Sequence, residues 1–174
     1  MSLAAIIHKL RNNEDLSVNE TRDIFNAIFS GTVPEDHIAA LLLALHRKGE
    51  TTDEIRGAAL SMRDKALNIK APTEAIDIVG TGGDAHGTFN ISTAAALVTA
   101  ACGVPVAKHG NRAATSQSGS SDVLVALGVN LEPPLDVLAE CLHEANLCFL
   151  FAQRHHPAMR FVAPVRKKLG IRTI

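Results

Sequence analysis

The sequence predicts a chain of the α/β class in two parts: a small N-terminal all-α domain, residues 1–70, and a parallel-sheet α/β domain, residues 71–174. Three observations carry that reading. Apolar residues recur at helical spacing from Leu3 to Lys70. From Ile76 onward, short apolar runs alternate with helical stretches, the order that builds a parallel sheet. Between the first such run and the helix after it lies a loop with glycines at 80, 82, 83 and 87. Glycines there let backbone N–H groups approach a ligand closely, and the following helix N-terminus favours an anion.

The helical part reads as four short helices. Leu3, Ile6, Ile7 and Leu10 form the first stripe, which ends near Asn12 and Asn13. Ser17-Val-Asn-Glu20 is a capping box opening a helix with Ile24, Phe25, Ile28 and Phe29 on one face and Gly31 as its stop. Pro34 suits a first helical turn before Ile38, Leu41, Leu42 and Leu45, and Gly49 closes that helix. Thr51-Thr-Asp-Glu54 is a second capping box, ahead of Ile55, Ala59 and Met62. The stripes are wide for so few residues. They either cover one another and the following domain, or bury part of the unit against a second subunit.

Ala71-Pro72-Thr73 reads as a linker, and the period then changes. Ile76–Val79 is expected as a buried strand, and Ser92 to Cys102 as an Ala-rich helix ended by Gly103. Pro105–Lys108 is the second strand, followed by a polar loop from His109 to Ser121 and a helix from Asp122 to Leu127, with Ser120 or Ser121 as its cap. A helix after Pro134 carries Leu135, Leu138, Leu142 and Ala145, and Leu147–Phe151 is the third strand. Residues 156–174 are expected to be helical and to pack back on the first domain. Ligands of parallel sheets bind beyond the carboxyl ends of the strands. The polar clusters at Gly80–Asp84, Lys108–Asn111 and Ala152–His156 should therefore share one rim.

Composition narrows the function. Seventeen basic and eighteen acidic residues nearly cancel, so the chain has no nucleic-acid footprint and any anion must be held locally. No apolar run nears the ~18 residues of a membrane span, and the N-terminus has no secretory pattern. Cys102, Cys141 and Cys148 are odd in number and lack metal spacing. They read as buried reduced thiols, which places the chain in the cytoplasm.

The Gly80-Thr-Gly82 loop is not a Rossmann cradle, because the acidic residue expected about 20 positions on is absent. It is not a Walker A loop, because no Gly-Lys-Ser/Thr follows it. Lys108 arrives from the second strand instead, where it would neutralise a phosphate. Adjacent His155 and His156 lack the spacing of a zinc site, and no Ser or Cys is marked as a nucleophile. The residues themselves indicate an α/β binder of a phosphorylated small molecule.

Several long motifs then extend the reading. Asp77-Ile-Val-Gly-Thr-Gly-Gly-Asp84, Phe89-Asn-Ile-Ser-Thr93, Lys108-His-Gly-Asn-Arg112, Ser118-Gly-Ser-Ser-Asp-Val-Leu124, Phe149-Leu-Phe-Ala152, His156-Pro-Ala-Met159 and Val162-Ala-Pro-Val-Arg166 stand in one order. Together they resemble the anthranilate phosphoribosyltransferases, of the class that includes pyrimidine nucleoside phosphorylases. The resemblance implies transfer of phosphoribose from phosphoribosyl pyrophosphate (PRPP) to the amine of anthranilate, with Mg2+ as cofactor, in a homodimer formed through the helical domain. It implies that Gly80, Gly83, Asp84, Thr88, Asn90, Ser92, Thr93, Lys108 and Ser120 bind PRPP, Ser92 also meeting magnesium. It implies that Gly80, His109, Asn111 and Arg166 meet anthranilate, the arginine answering its carboxylate. No nucleic acid or membrane is implied as a partner.

Two features depart from the family pattern. Gln153 stands where the family often has Pro. Family members also continue beyond Ile174, supplying the rest of the sheet and an Asp-Glu pair that binds magnesium, so the chain reads as an N-terminal portion. Two alternatives stay beside the enzyme: a non-catalytic phosphate- or PRPP-binding fragment, and a nucleoside phosphorylase, against which Asn111-Arg112 argues.

Overall fold

The structure is a computed structural model that describes residues 2–80, 89–112 and 119–171. The chain divides into two compact units, Met1–Ala66 with His156–Ile174, and Leu67–His155.

Local signals set the first unit. Helices α1 (Leu3–Arg11), α2 (Val18–Phe29), α3 (Glu35–Lys48) and α4 (Thr52–Asp64) follow the four stripes. Both capping boxes form: Ser17 pairs with Glu20, and Thr51 with Glu54. The Ser17 N–H and the Lys9 ammonium hold the Glu20 carboxyl down to about 2. Ile6, Leu10, Phe25, Ile28, Leu41 and Leu45 build one core, joined by Ala158, Val162 and Val165 from the end of the chain. The first three stripes therefore cover one another inside the unit, whereas α4 buries Glu54, Gly57, Ala58 and Ser61 and leaves Ile55 of its expected stripe 52% exposed. A β-carbon on Gly57 would sit 2.5 Å from the Val18 carbonyl and 2.7 Å from Thr21 Cβ, so α4 meets α2 backbone to backbone there.

The second unit carries α5 (Ile91–Ala101), β1 (Val106–Gly110), α6 (Ser120–Ala126), α7 (Leu135–Ala145), β2 (Leu147–Phe151) and the single turn α8 (Ala152–His155). A 3-10 helix (Pro157–Phe161) and α9 (Ala163–Leu169) return to the first unit. Strands β1 and β2 are parallel, with Val106 opposite Leu147 and Lys108 opposite Phe149.

Four expectations need correction. Ile76–Val79 is no strand: only Ile76 bridges to Val106. Ile76 exchanges bonds with Pro105 O and Ala107 N–H, at 2.9 Å each. The next rung of a parallel ladder would run from His109 N–H to Ile78 O. Side chains take both groups instead. Asp77 Oδ1 accepts from His109 N–H at 3.0 Å, and Lys108 Nζ donates to Ile78 O at 2.7 Å. Strand β1 also runs two residues past Lys108, so that lysine lies inside the strand. The cap of α6 is Gly119, whose N–H donates to Asp122 Oδ2 at 2.8 Å, and not Ser120 or Ser121. Only Cys148 is buried, its thiol pushed up to about 12 by burial, whereas Cys102 and Cys141 are exposed. Cys102 caps the C-terminus of α5, and Cys141 on α7 opens onto a cavity beside Leu138.

Candidate active site

Lys108 is the centre of the site. Strand alternation turns its side chain to the face shared with Phe149, and only 3% of the residue is exposed. Its ammonium donates to Ile78 O at 2.7 Å, to Ser92 Oγ at 3.3 Å and to His109 O at 3.3 Å. Burial pulls its pKa below the ordinary lysine value, and the Asp77 carboxylate partly offsets that. Ser92 stands in the first turn of α5, where the helix dipole adds positive potential to that of the ammonium. Thr93 Oγ1 in the same turn is buried without a hydrogen-bond partner among the described residues, as is Ser121 Oγ at the start of α6. A buried hydroxyl left unpaired costs free energy that an incoming acceptor or donor recovers.

Around this centre the second unit gathers most of the polar groups read from the sequence. His109 meets Asp77 twice, through its N–H to Oδ1 at 3.0 Å and its Nδ1 to Oδ2 at 2.9 Å. Asn111 lies at the end of β1, its side-chain oxygen accepting from Arg112 N–H at 2.9 Å and from Gln153 Nε2 at 3.4 Å. Ser120 Oγ donates to Asn111 O at 3.4 Å. Gly110 leaves no room for a side chain: a β-carbon would fall 2.3 Å from Ser120 Oγ and 2.5 Å from the Phe149 ring. Gly80 is exposed, and Asn90 is the N-cap of α5. Arg166 belongs to α9 in the first unit. Gly83, Asp84 and Thr88 lie outside the described residues. An apolar cavity of about 440 Å³ adjoins the site, lined by Ala96, Leu138, Cys141 and Leu147, with Thr93 and Lys108 the two assigned residues that reach it.

Sequence reasoning gave no role to Asp77, and it put His155 in the rim cluster at Ala152–His156 without a role of its own. Asp77 was legible only as the opening residue of a glycine-rich motif. His155 is buried, its Nδ1 donating to Leu67 O at 2.8 Å while its own carbonyl accepts from Leu67 N–H at 2.8 Å. This clasp ties the two ends of the second unit together. Its ring meets that of His109 edge-on at 6.2 Å and 79°. Burial lowers the His155 pKa first, the bond to Leu67 opposes that, and the charges of His109 and Arg154 add to it. The unfolded chain therefore takes up this proton more readily than the native one. His155's contribution to stability is complete above the ordinary value of 6.5 and is lost as pH falls below it, through the lowered native value. His155→Gln should flatten that part of the stability profile, measured as urea midpoints between about pH 7.5 and 5. An unaltered profile would remove His155 as the titrating group.

Magnesium finds little here. Ser92 Oγ is the one assigned ligand and accepts from the Lys108 ammonium at 3.3 Å, which repels a second cation. No group of three or more His, Cys, Asp or Glu side chains that could hold a metal ion occurs among the described residues. Magnesium asks for octahedral oxygen ligands, so the described residues do not fit it.

Comparison with known proteins gives the class. The α/β domain of a glycosyl transferase family matches residues 72–174, and that family's helical bundle domain matches residues 4–66. The chain belongs to this glycosyl transferase family. It is 56% identical over 172 residues to an anthranilate phosphoribosyltransferase of Rhodospirillum rubrum, a match that takes in 99% of this chain and 50% of that one. It is 55% identical to the same enzyme of a Chelativorans species, over 99% of this chain and 51% of that one. The crystal structure of anthranilate phosphoribosyltransferase from Thermus thermophilus superposes with a TM-score of 0.89 at 48% identity, covering 97% of this chain and 51% of that one. The Saccharomyces cerevisiae enzyme in complex with PRPP and Mg superposes with a TM-score of 0.87 at 29% identity, covering 98% and 52%. The chain thus spans about half the length of the curated relatives it matches.

Proposed function

We propose that the chain carries the donor and acceptor residues of an anthranilate phosphoribosyltransferase. The reaction gives N-(5-phosphoribosyl)anthranilate and pyrophosphate, within tryptophan biosynthesis. The observation that carries this reading is the buried Lys108 ammonium against the first turn of α5, beside the unpartnered Thr93 hydroxyl. That is a preorganised anion site, and PRPP is an anion at both ends. The similarity to enzymes of that name supplies the substrate pair.

In the reaction the anthranilate nitrogen bonds to ribose C1, the C1–O bond to pyrophosphate breaks, and the nitrogen loses a proton. Arylamines are weakly basic, so no strong general base is needed before attack. Catalysis rests on holding the nitrogen in line with C1 and on stabilising the departing anion. Lys108, Thr93, Asn90 and Ser120, with Ser92 and Gly80, take the PRPP side of this assignment. The residues outside the described segments, Gly83, Asp84 and Thr88, join them on the resemblance. The resemblance assigns Gly80, His109, Asn111 and Arg166 to anthranilate. Magnesium arrives with PRPP, whose phosphate oxygens are its hard ligands. Homodimer assembly and a cytoplasmic location belong to the same reading; among the described residues no helix is long and apolar enough to cross a membrane.

One observation favours a second reading, binding without turnover. Phe89, Val98 and Leu127 are 93%, 65% and 69% exposed, apolar side chains left uncovered in a unit whose sheet has two strands among the described residues. Anthranilate fluorescence separates the two. Decay that requires the chain, PRPP and magnesium together establishes turnover. PRPP binding by calorimetry with no decay establishes the binding reading, and absence of both overturns each. Arg166→Ala should raise the anthranilate KM about tenfold or more, a charged hydrogen bond contributing about 1.5–3 kcal/mol. PRPP affinity should stay put. Unchanged anthranilate kinetics would remove Arg166 from the site.

A further inference from the structure

We propose that the apolar cavity of the second unit binds an amphipathic carboxylate. The apolar body lies between α5 and α7, and the carboxylate accepts from the Thr93 hydroxyl within the field of the Lys108 ammonium. Such a ligand and a phosphate of PRPP exclude each other. The exclusion rests on the functional reading above, whereas the site itself does not.

The cavity has a polar end and an apolar end. Helix α5 begins beside Lys108, whose ammonium donates to Ser92 Oγ in its first turn, and it ends beside Val106, against which Ala100 packs. Strand β1 therefore runs back along α5. The register sets Leu147 level with Val106 and Phe149 level with Lys108. Helix α7 finishes at Ala145, just before Leu147 opens β2. Thr93 and Lys108 thus stand at one end of the cavity, and Ala101, Ala145 and Leu147 at the other. Between them the walls are Ala96 and Ala100 of α5 and Leu138 and Cys141 of α7. The alanines keep open a space that leucines would fill. Its volume of about 440 Å³ lies within the usual range of ligand pockets, about 300–1,000 Å³.

The polar end asks for an anion. Thr93 is 4% exposed and lines the cavity, and its Oγ1 has no hydrogen-bond partner among the described residues. The buried Lys108 ammonium touches two carbonyls and one hydroxyl but, among the described residues, no carboxylate. An unpaired buried hydroxyl and a buried cation without an anion in contact are both costly, and one carboxylate relieves both. A cationic ligand is repelled, and a wholly apolar one leaves Thr93 unpaired. Asn130, the other polar residue of the lining, is exposed, and its Oδ1 accepts from Glu132 N–H. At the apolar end Ala101, Cys141 and Ala145 are exposed, so the cavity opens between the two helices there.

Cys141 supplies the reporter. It is an exposed thiol of the cavity wall, Cys102 is an exposed thiol outside that wall, and Cys148 is silenced by burial, which pushes it up to about 12. Iodoacetamide alkylation of the 174-residue chain is followed by peptide mapping. Octanoate at about ten times its Kd should slow Cys141 about tenfold, because only the empty chain reacts there, and leave Cys102 unchanged. By calorimetry octanoate should bind about 10–100-fold tighter than 1-octanol, the range of a charged hydrogen bond, and octylamine should not bind. Octanoate should also raise the apparent Kd of PRPP in proportion to its occupancy. Cys141→Phe fills the cavity and should abolish octanoate binding with PRPP affinity unchanged; if that variant does not fold, alkylation of the unaltered chain still decides. Equal slowing of Cys102, or equal affinity for octanoate and 1-octanol, overturns the site. Octanoate bound with PRPP affinity unaltered overturns the exclusion. A chain that binds PRPP while octanoate leaves Cys141 unprotected overturns this inference alone, and one that protects Cys141 but never binds PRPP overturns the functional reading and the exclusion while supporting the site.

Discussion

Glu54→Ala should lower the unfolding free energy by about 3–5 kcal/mol, the usual effect of stripping one partner from a buried ion pair. Glu54 is fully buried, and its two oxygens serve three donors. Oε1 accepts from Leu16 N–H at 2.9 Å, and Oε2 accepts from Thr51 N–H at 2.8 Å and Lys48 Nζ at 3.0 Å. Lys48 in turn reaches Asp15 at 2.7 Å. Burial presses against the charged lysine, but the Asp15 and Glu54 carboxylates outweigh it and raise its pKa. Removing the Glu54 carboxylate leaves two backbone donors unpaired and takes from the buried ammonium its one buried counter-charge, with Asp15 and Gly49 O as its remaining partners. Glu20 offers the internal control, since it completes the same capping motif on the partly exposed surface with Lys9. Glu20→Ala should cost only about 1 kcal/mol, the range of a lost cap. Urea denaturation of both variants checks the contrast, and equal losses would mean that Glu54 acts as a cap alone.

That contrast also shows what a sequence discloses. Ser17-Val-Asn-Glu20 and Thr51-Thr-Asp-Glu54 look alike, because a capping box is a bond across three residues and is written locally. The second bond of Glu54, to Leu16, spans 38 residues and depends on how the connection between α1 and α2 meets α4. The four helices were legible on such local grounds. The expected strand at Ile76–Val79 failed for the opposite reason. Its apolar run is a sound strand pattern, but its rungs go to the Asp77 carboxylate and the Lys108 ammonium, which only the fold brings there. At the site, the strand-end rule expected Gly80–Asp84, Lys108–Asn111 and Ala152–His156 on one rim, and in the structure Gln153 of the last cluster donates to Asn111 of the second at 3.4 Å. Asp77 escaped because a carboxylate beside glycines has no local sign of the imidazole it holds. Thr93 was read as a ligand residue, and its unpartnered burial adds a physical reason that sequence could not supply.

Lys108→Met should weaken PRPP binding about 10–100-fold, the equivalent of a charge-assisted hydrogen bond of about 1.5–3 kcal/mol. Methionine keeps the apolar stem within the packed face beside Phe149 while removing the ammonium. It also leaves Ile78 O without its donor, so a stability loss of about 1–3 kcal/mol should accompany the binding defect. The two effects separate by pH. Burial lowers the Lys108 pKa below 10.5, so the parent loses its ammonium at a lower pH than an ordinary lysine would. PRPP affinity in the parent should therefore decline as pH rises through that lowered value, because the neutral amine no longer balances the phosphate charge. In Lys108→Met the decline should vanish, leaving a weak affinity that does not depend on pH in that range. Isothermal titration calorimetry across the alkaline range measures both chains. A merely structural lysine would weaken binding without changing its pH dependence, whereas a lysine that faces the phosphate must change both.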